Sequence, residues 1–215
     1  LFAIIMGASS LVQAVAEEKE NRMVEVLMTS AKPLSIMMGK VVAVGAAVLF
    51  QVVMWVAAFI IIVPRIFDVI PNAPSLFLDP WIFAMVIAFF LAGYFLNAVV
   101  MAGLGAVAPG VKEANQVAGF LVIPLIVPLY TMPLMFSNPD GAYARVISFI
   151  PFTAPTAMIV RLGIGEPSPL EVLASLAMMV AVGIGLLWVS ARVFRAGMLM
   201  YGQRVSWRRV MASLK

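Results

Sequence analysis

Residues 80–108 read PWIFAMVIAFFLAGYFLNAVVMAGLGAVA and hold no charged side chain. An α-helix needs roughly 20 consecutive apolar residues to cross a bilayer, and this run has residues to spare. Its continuity points to helix, because strands of transmembrane barrels are about ten residues long and alternate in polarity. Similar runs cover residues 34–63, 114–136 and 170–194, with a shorter one over residues 1–16. The expected fold is all-α: a polytopic transmembrane helix bundle with five spans present, the first one partial.

The whole composition agrees. Of the 215 residues, 64% are hydrophobic and 11% charged, and the mean hydropathy is +1.09. Soluble domains carry about 25% charged residues, so this chain could not coat a folded surface with polar groups. It has no cysteine and no histidine, which removes disulfides, thiolate sites, the commonest metal ligand and the commonest general base. No catalytic residue, bound cofactor or metal is expected on the chain. Leu1 lies within an apolar run and no basic segment precedes it, so the first span is expected to begin upstream rather than to be a signal peptide.

Charge sets the orientation. Successive connections must alternate sides, which groups Lys19, Arg22, Lys32, Lys40, Lys112, Arg192, Arg195, Arg204, Arg208, Arg209 and Lys215 on one side. Only Arg65, Arg145 and Arg161 remain for the other, eleven against three of the 14 basic residues. The positive-inside rule puts the richer side in the cytoplasm. A transmembrane domain over residues 1–195 in the cell (inner) membrane, with a basic cytoplasmic tail over 196–215, follows.

Three motif-like strings fail on chemistry. Glu17, Glu18 and Arg22 fit the Glu-Glu-x-x-x-Arg pattern of intramembrane CAAX-type proteases, whose glutamate works beside histidines that this chain lacks. Gly103, Gly105 and Ala108 mimic a dinucleotide fingerprint, but they sit inside an apolar span rather than between a strand and a helix. Gly39-Lys40 lacks the upstream glycine of a phosphate-binding loop. Nucleotide hydrolysis must belong to another chain.

Residues 17–30 form the most polar stretch between spans. Met23, Val26 and Leu27 recur at i, i+3 and i+4, giving a helical apolar stripe, while Glu17, Glu18, Glu20 and Glu25 cover the rest. The pattern allows either a solvated extension or a docking helix for a soluble partner. The text from Glu18-Lys19-Glu20-Asn21-Arg22 through Glu25 to Ser30, then Pro33 and Gly39-Lys40, resembles the segment after the second span of type-2 ABC transporter permeases, notably their NatB-like branch. Residues 149–158, FIPFTAPTAM, with Arg161 and Gly165-Glu166, resemble the loop before that family's last span. The resemblance covers the whole chain. It implies an N-terminally truncated permease half of an ATP-driven exporter, paired with a second permease subunit and with separate ABC ATPase subunits that carry ATP and magnesium. Glu17, Glu18, Lys19, Glu20, Asn21, Arg22 and Glu25 would then belong to the helix that couples to the ATPase. The competing expectation is a non-transporting membrane scaffold or assembly protein. Membrane lipid is a partner in either case, and nucleic acid in neither.

The external loop, residues 137–169, holds two apolar stretches, 142–150 and 156–162, too short to span and broken by Pro151 and Pro155. They suggest a re-entrant helical pair, since irregular backbone at membrane depth must be covered by protein or line a cavity. Pro124, Pro128 and Pro133 crowd one span and suggest a helix built to bend. Gln51 and Asn97 are polar within spans, suited to interhelical hydrogen bonds or to a substrate path. Small residues repeat at helical spacing in Gly39, Ala43 and Ala47 and in Ala177, Ala181 and Gly185, which would let helices approach closely.

Overall fold

The computed structural model describes residues 1–20, 33–67 and 79–198. They form eight helices: α1 (Phe2–Glu20), α2 (Pro33–Phe67), α3 (Pro80–Val107), α4 (Val111–Tyr130), α5 (Met132–Ser137), α6 (Ala142–Phe149), α7 (Ala154–Ile164) and α8 (Pro169–Met198). No strand occurs among the described residues. Residues 199–215 of the basic tail and residues 21–30 of the expected coupling segment, including Asn21, Arg22 and Glu25, lie outside the described residues.

Four stretches are long and apolar enough to cross a membrane: Ser35–Met54, Pro80–Val107, Val111–Ser137 and Pro169–Val193. These are the four complete spans expected. Helix α1, the expected partial span, is not among these four. Helix α1 runs past residue 16 through Glu20, so Glu17, Glu18, Lys19 and Glu20 continue it instead of starting a new element.

Local sequence explains the helix boundaries. Asp79 caps α3 by accepting a 2.8 Å hydrogen bond from the Trp81 amide, and Pro80, which has no N–H to lose, occupies the first turn. The proline-rich span divides at Thr131. Pro133 cannot donate to the preceding turn, so the chain closes α4 and restarts as α5. Thr131 holds the break, its hydroxyl donating to the Val127 carbonyl at 2.9 Å and its amide to the same oxygen at 3.0 Å.

Helix α3 is central: 44% of its apolar window is buried, against 17–22% for the other three spans. Gly105 of α3 lies so close to α1 that an added Cβ would stand 2.8 Å from the Val12 carbonyl oxygen. Phe95 lies beside Gly183 of α8, and Gly103 beside Ser190. These matched pairs mean that α1, α3 and α8 run in one direction. Gly7 of α1 lies beside Val48 of α2 while Glu18 pairs with Lys40, which sets α2 antiparallel to that trio. The short connection between Val107 and Val111 turns α4 back along α3. The bundle therefore has a base, where α1, α3 and α8 end, and a cap, where α3 and α8 begin.

The outer faces are apolar. Phe50, Phe120 and Tyr130 are 68%, 72% and 84% exposed, as lipid-facing side chains are in a chain whose solvent is hydrocarbon.

Candidate functional site

Two places gather polar and proline residues: a wedge descending from the cap, and the ends of α1 and α2 at the base.

The wedge is the pair α6 and α7. Pro155, in the first turn of α7, lies against Gly93, where an added Cβ would sit 2.7 Å from the proline ring. Gly93 is 13 residues into α3, or roughly 20 Å at 1.5 Å per residue, so the tip of the pair reaches well down the bundle. This is the re-entrant arrangement expected from the two short apolar stretches. The tip is protein-covered: Thr153, Pro155 and Thr156 are all buried.

A turn at such depth must satisfy its backbone without water, and the residue choice does so. Pro151 and Pro155 contribute no N–H. The Thr153 hydroxyl donates to the carbonyls of Ile147 and Ile150. The Ser175 hydroxyl of α8 donates to the Ser148 carbonyl at 2.5 Å. Thr156 donates to the Leu125 carbonyl at 3.0 Å, a link from the wedge into α4 between Pro124 and Pro128.

Above the tip, Arg161 anchors the wedge. Its side chain is fully buried. Nε donates to the Pro139 carbonyl at 2.9 Å, and Nη2 donates to Asp140 Oδ1 at 3.0 Å and to Glu171 Oε2 at 2.9 Å. Arg145 of α6 lies 3.5 Å from the other Glu171 oxygen. One guanidinium thus joins the turn after α5, helix α7 and the first turn of α8. Two cations face two carboxylates, so the buried charge is compensated.

Of the gate or path residues expected from sequence, most converge on this wedge. Pro151 and Pro155 form its tip, and Pro124 and Pro128 flank the Leu125 carbonyl that it holds. Asn97, one turn below Gly93 on α3, is buried and donates to the Gly93 carbonyl at 2.9 Å, while its Oδ1 has no partner among the described residues. Gln51 does not join them. It lines a separate groove of about 460 Å³ between α1 and α2, beside Met6, Ser10, Ala43 and Ala47. The anchoring set of Asp140, Arg145, Arg161 and Glu171 was not singled out from sequence as a site. The available signal was a balanced group of charges in an otherwise apolar loop.

At the base, Glu18 of α1 forms an ion pair with Lys40 of α2, both side chains mostly buried. Glu17 is exposed beside them. Gln13 donates to Asn115 of α4 at 3.3 Å. Near the end of α8 the Arg192 guanidinium stacks over the Trp188 ring, 3.3 Å from its centroid, a cation–π contact at an exposed indole. Among the described residues no group of acidic side chains is placed to hold a metal.

A bundle of apolar helices with a re-entrant wedge defines a multi-pass membrane protein. Residues 1–192 match the ABC-2 family transporter proteins, and the chain belongs to that family. It is a membrane permease component of the type-2 ABC class. It is 30% identical over 214 residues to the uncharacterized protein MJ1024 of Methanocaldococcus jannaschii, covering 98% of this chain and 51% of that protein. It is 26% identical over 223 residues to the uncharacterized protein YhaP of Bacillus subtilis, covering 100% of this chain and 52% of that protein. The chain thus spans about half the length of these relatives. No solved structure matches it significantly.

Proposed function

We propose that the chain is the membrane-spanning half of an ATP-driven exporter, coupled through residues 17–30 to a separate ABC ATPase subunit and paired with a second permease subunit. ATP and magnesium belong to the ATPase. The base faces the cytoplasm of the cell (inner) membrane, a placement supported by the charge asymmetry of eleven basic residues to three. Family membership over residues 1–192 is the observation that carries the reading. The wedge supports it mechanically. A covered, re-entrant turn leaning on a proline-broken helix can close the outer mouth, and it can shift when α4 bends at Pro124 and Pro128.

The base receives force and the wedge gates release. ATP-driven closure of the ATPases pushes the coupling segment, and α1 carries the displacement into α3, against which it is packed at Gly105. The test is co-purification of the ATPase with the full-length chain. Reversing charge in the double variant Arg22→Glu, Glu25→Lys should abolish co-purification while the permease still reaches the membrane. An unchanged yield of ATPase with that variant overturns the coupling assignment and returns the chain to the scaffold reading.

A further inference from the structure

The ion pair at the base closes a loop. Glu18 stands two residues before the end of α1, and Lys40 lies seven residues after Pro33, where α2 begins. The two helices that residues 21–32 connect are therefore tied to each other by an ion pair. The pair is not a solvent-facing one: the side chains are 27% exposed at Glu18 and 15% at Lys40. Its second carboxylate oxygen, Oε2, is buried and has no partner among the described residues. Among the described residues Lys40 is thus the group that holds the Glu18 charge, and Glu18 is more buried than the exposed Glu17.

We propose that Glu18 and Lys40 are positioning residues, a clamp that makes α1 and α2 move as one body when the segment between them is pushed; this rests on the coupling reading above. Without the clamp, a push on residues 21–32 would splay two independent helix ends and dissipate in the segment. With it, the displacement enters both helices. From α2 it passes to α3, because the Val41 carbonyl, next to Lys40, accepts a 3.0 Å hydrogen bond from the Tyr94 hydroxyl. From α1 it passes to α4 through Gln13 and Asn115. Contact with the ATPase is left to the polar residues of the segment, and Glu18 acts through Lys40.

Charge exchange separates this role from direct contact. The variants E18K, K40E and the exchanged pair E18K/K40E are made in the full-length chain, co-expressed with the ATPase and reconstituted in liposomes. ATP hydrolysis by the complex and the amount of ATPase retained are then read together. Each single reversal should lower hydrolysis about five-fold or more with the ATPase still bound, and the exchanged pair should recover to within about two-fold of the parent. The 215 residues contain no cysteine, so E18C/K40C adds a fold control that needs no functional partner: a bifunctional thiol crosslinker about 10 Å long should join α1 to α2, since a Lys–Glu pair spans more than a direct disulfide can. An exchanged pair no better than E18K overturns the clamp and makes Glu18 a direct ATPase contact. Single reversals without effect also overturn it, as does failure of the crosslink. Absence of bound ATPase from the parent chain itself sinks the coupling reading, a different failure.

Discussion

The cap and the base of this bundle both use charge at the border of an apolar protein, but in opposite ways. At the cap, one buried guanidinium is shared by a backbone carbonyl and two carboxylates, and it fastens three elements into a wedge. At the base, among the described residues, one lysine meets one glutamate, and the pair bridges two helices joined by the segment that holds Arg22, Glu25 and Lys32. Multiple partners in a buried site make a rigid plug. One ion pair between the ends of two helices is instead suited to the joint proposed above.

Breaking the cap should therefore cost more stability than breaking any other polar contact described. Arg161→Met removes three hydrogen bonds from a charged donor, each worth about 1.5–3 kcal/mol when its partner is buried. Asp140 and Glu171 are 41% and 25% exposed and Glu171 keeps Arg145, so solvent screening should hold the net loss to about 3 kcal/mol. Thermal unfolding of the purified protein in detergent should show this as a lower midpoint. A midpoint equal to the parent's would mean that the wedge is held by packing alone. Next in size is Gly93→Leu, which drives a side chain into Pro155. Overpacking of this kind costs about 1–3 kcal/mol, and it should lift the tip, so that a cysteine at Thr153 becomes reactive to a membrane-impermeant thiol reagent. A tip that stays protected would show that α3 and not α7 yields. Arg145→Ala should matter least. Its side chain is 55% exposed, and an exposed ion pair contributes at most about 1 kcal/mol. A larger loss of stability would shift the anchor from Arg161 toward Arg145.

Sequence exposed the spans well because nothing competes with a continuous apolar run. Residues 80–108 are bounded by Asp79-Pro80, a cap and first-turn signal, and the helix begins where those residues direct. The prolines announced the break in the fourth span, although only Thr131, with two bonds to one carbonyl, shows where α4 ends. The re-entrant pair was legible from two stretches too short to cross. Its anchor was not. Asp140, Arg145, Arg161 and Glu171 share no helical period, and only the folding of α6 and α7 back onto the start of α8 brings them together. Glu18 and Lys40 are similarly remote in sequence, 22 residues apart, and spacing alone marked Glu18 as one of several acids on a polar helix. Gln51 and Asn97 looked alike as polar residues in spans, yet one borders a lateral groove and the other lies beneath the wedge. Burial depends on which face a neighbour covers, and a single polar residue in an apolar run does not encode that.

The difference between the two ends can be put to one direct measurement. A photo-crosslinking group placed at Glu25, in the segment that joins α1 and α2, and in a second sample at Asn138 near the cap, is activated in membranes containing the full-length chain and the ATPase. A crosslink to the ATPase from position 25 and none from position 138 is the expected result. Crosslinking from position 138, or none from position 25 while the ATPase still co-purifies, would contradict the assignment of the base as the end that takes up force.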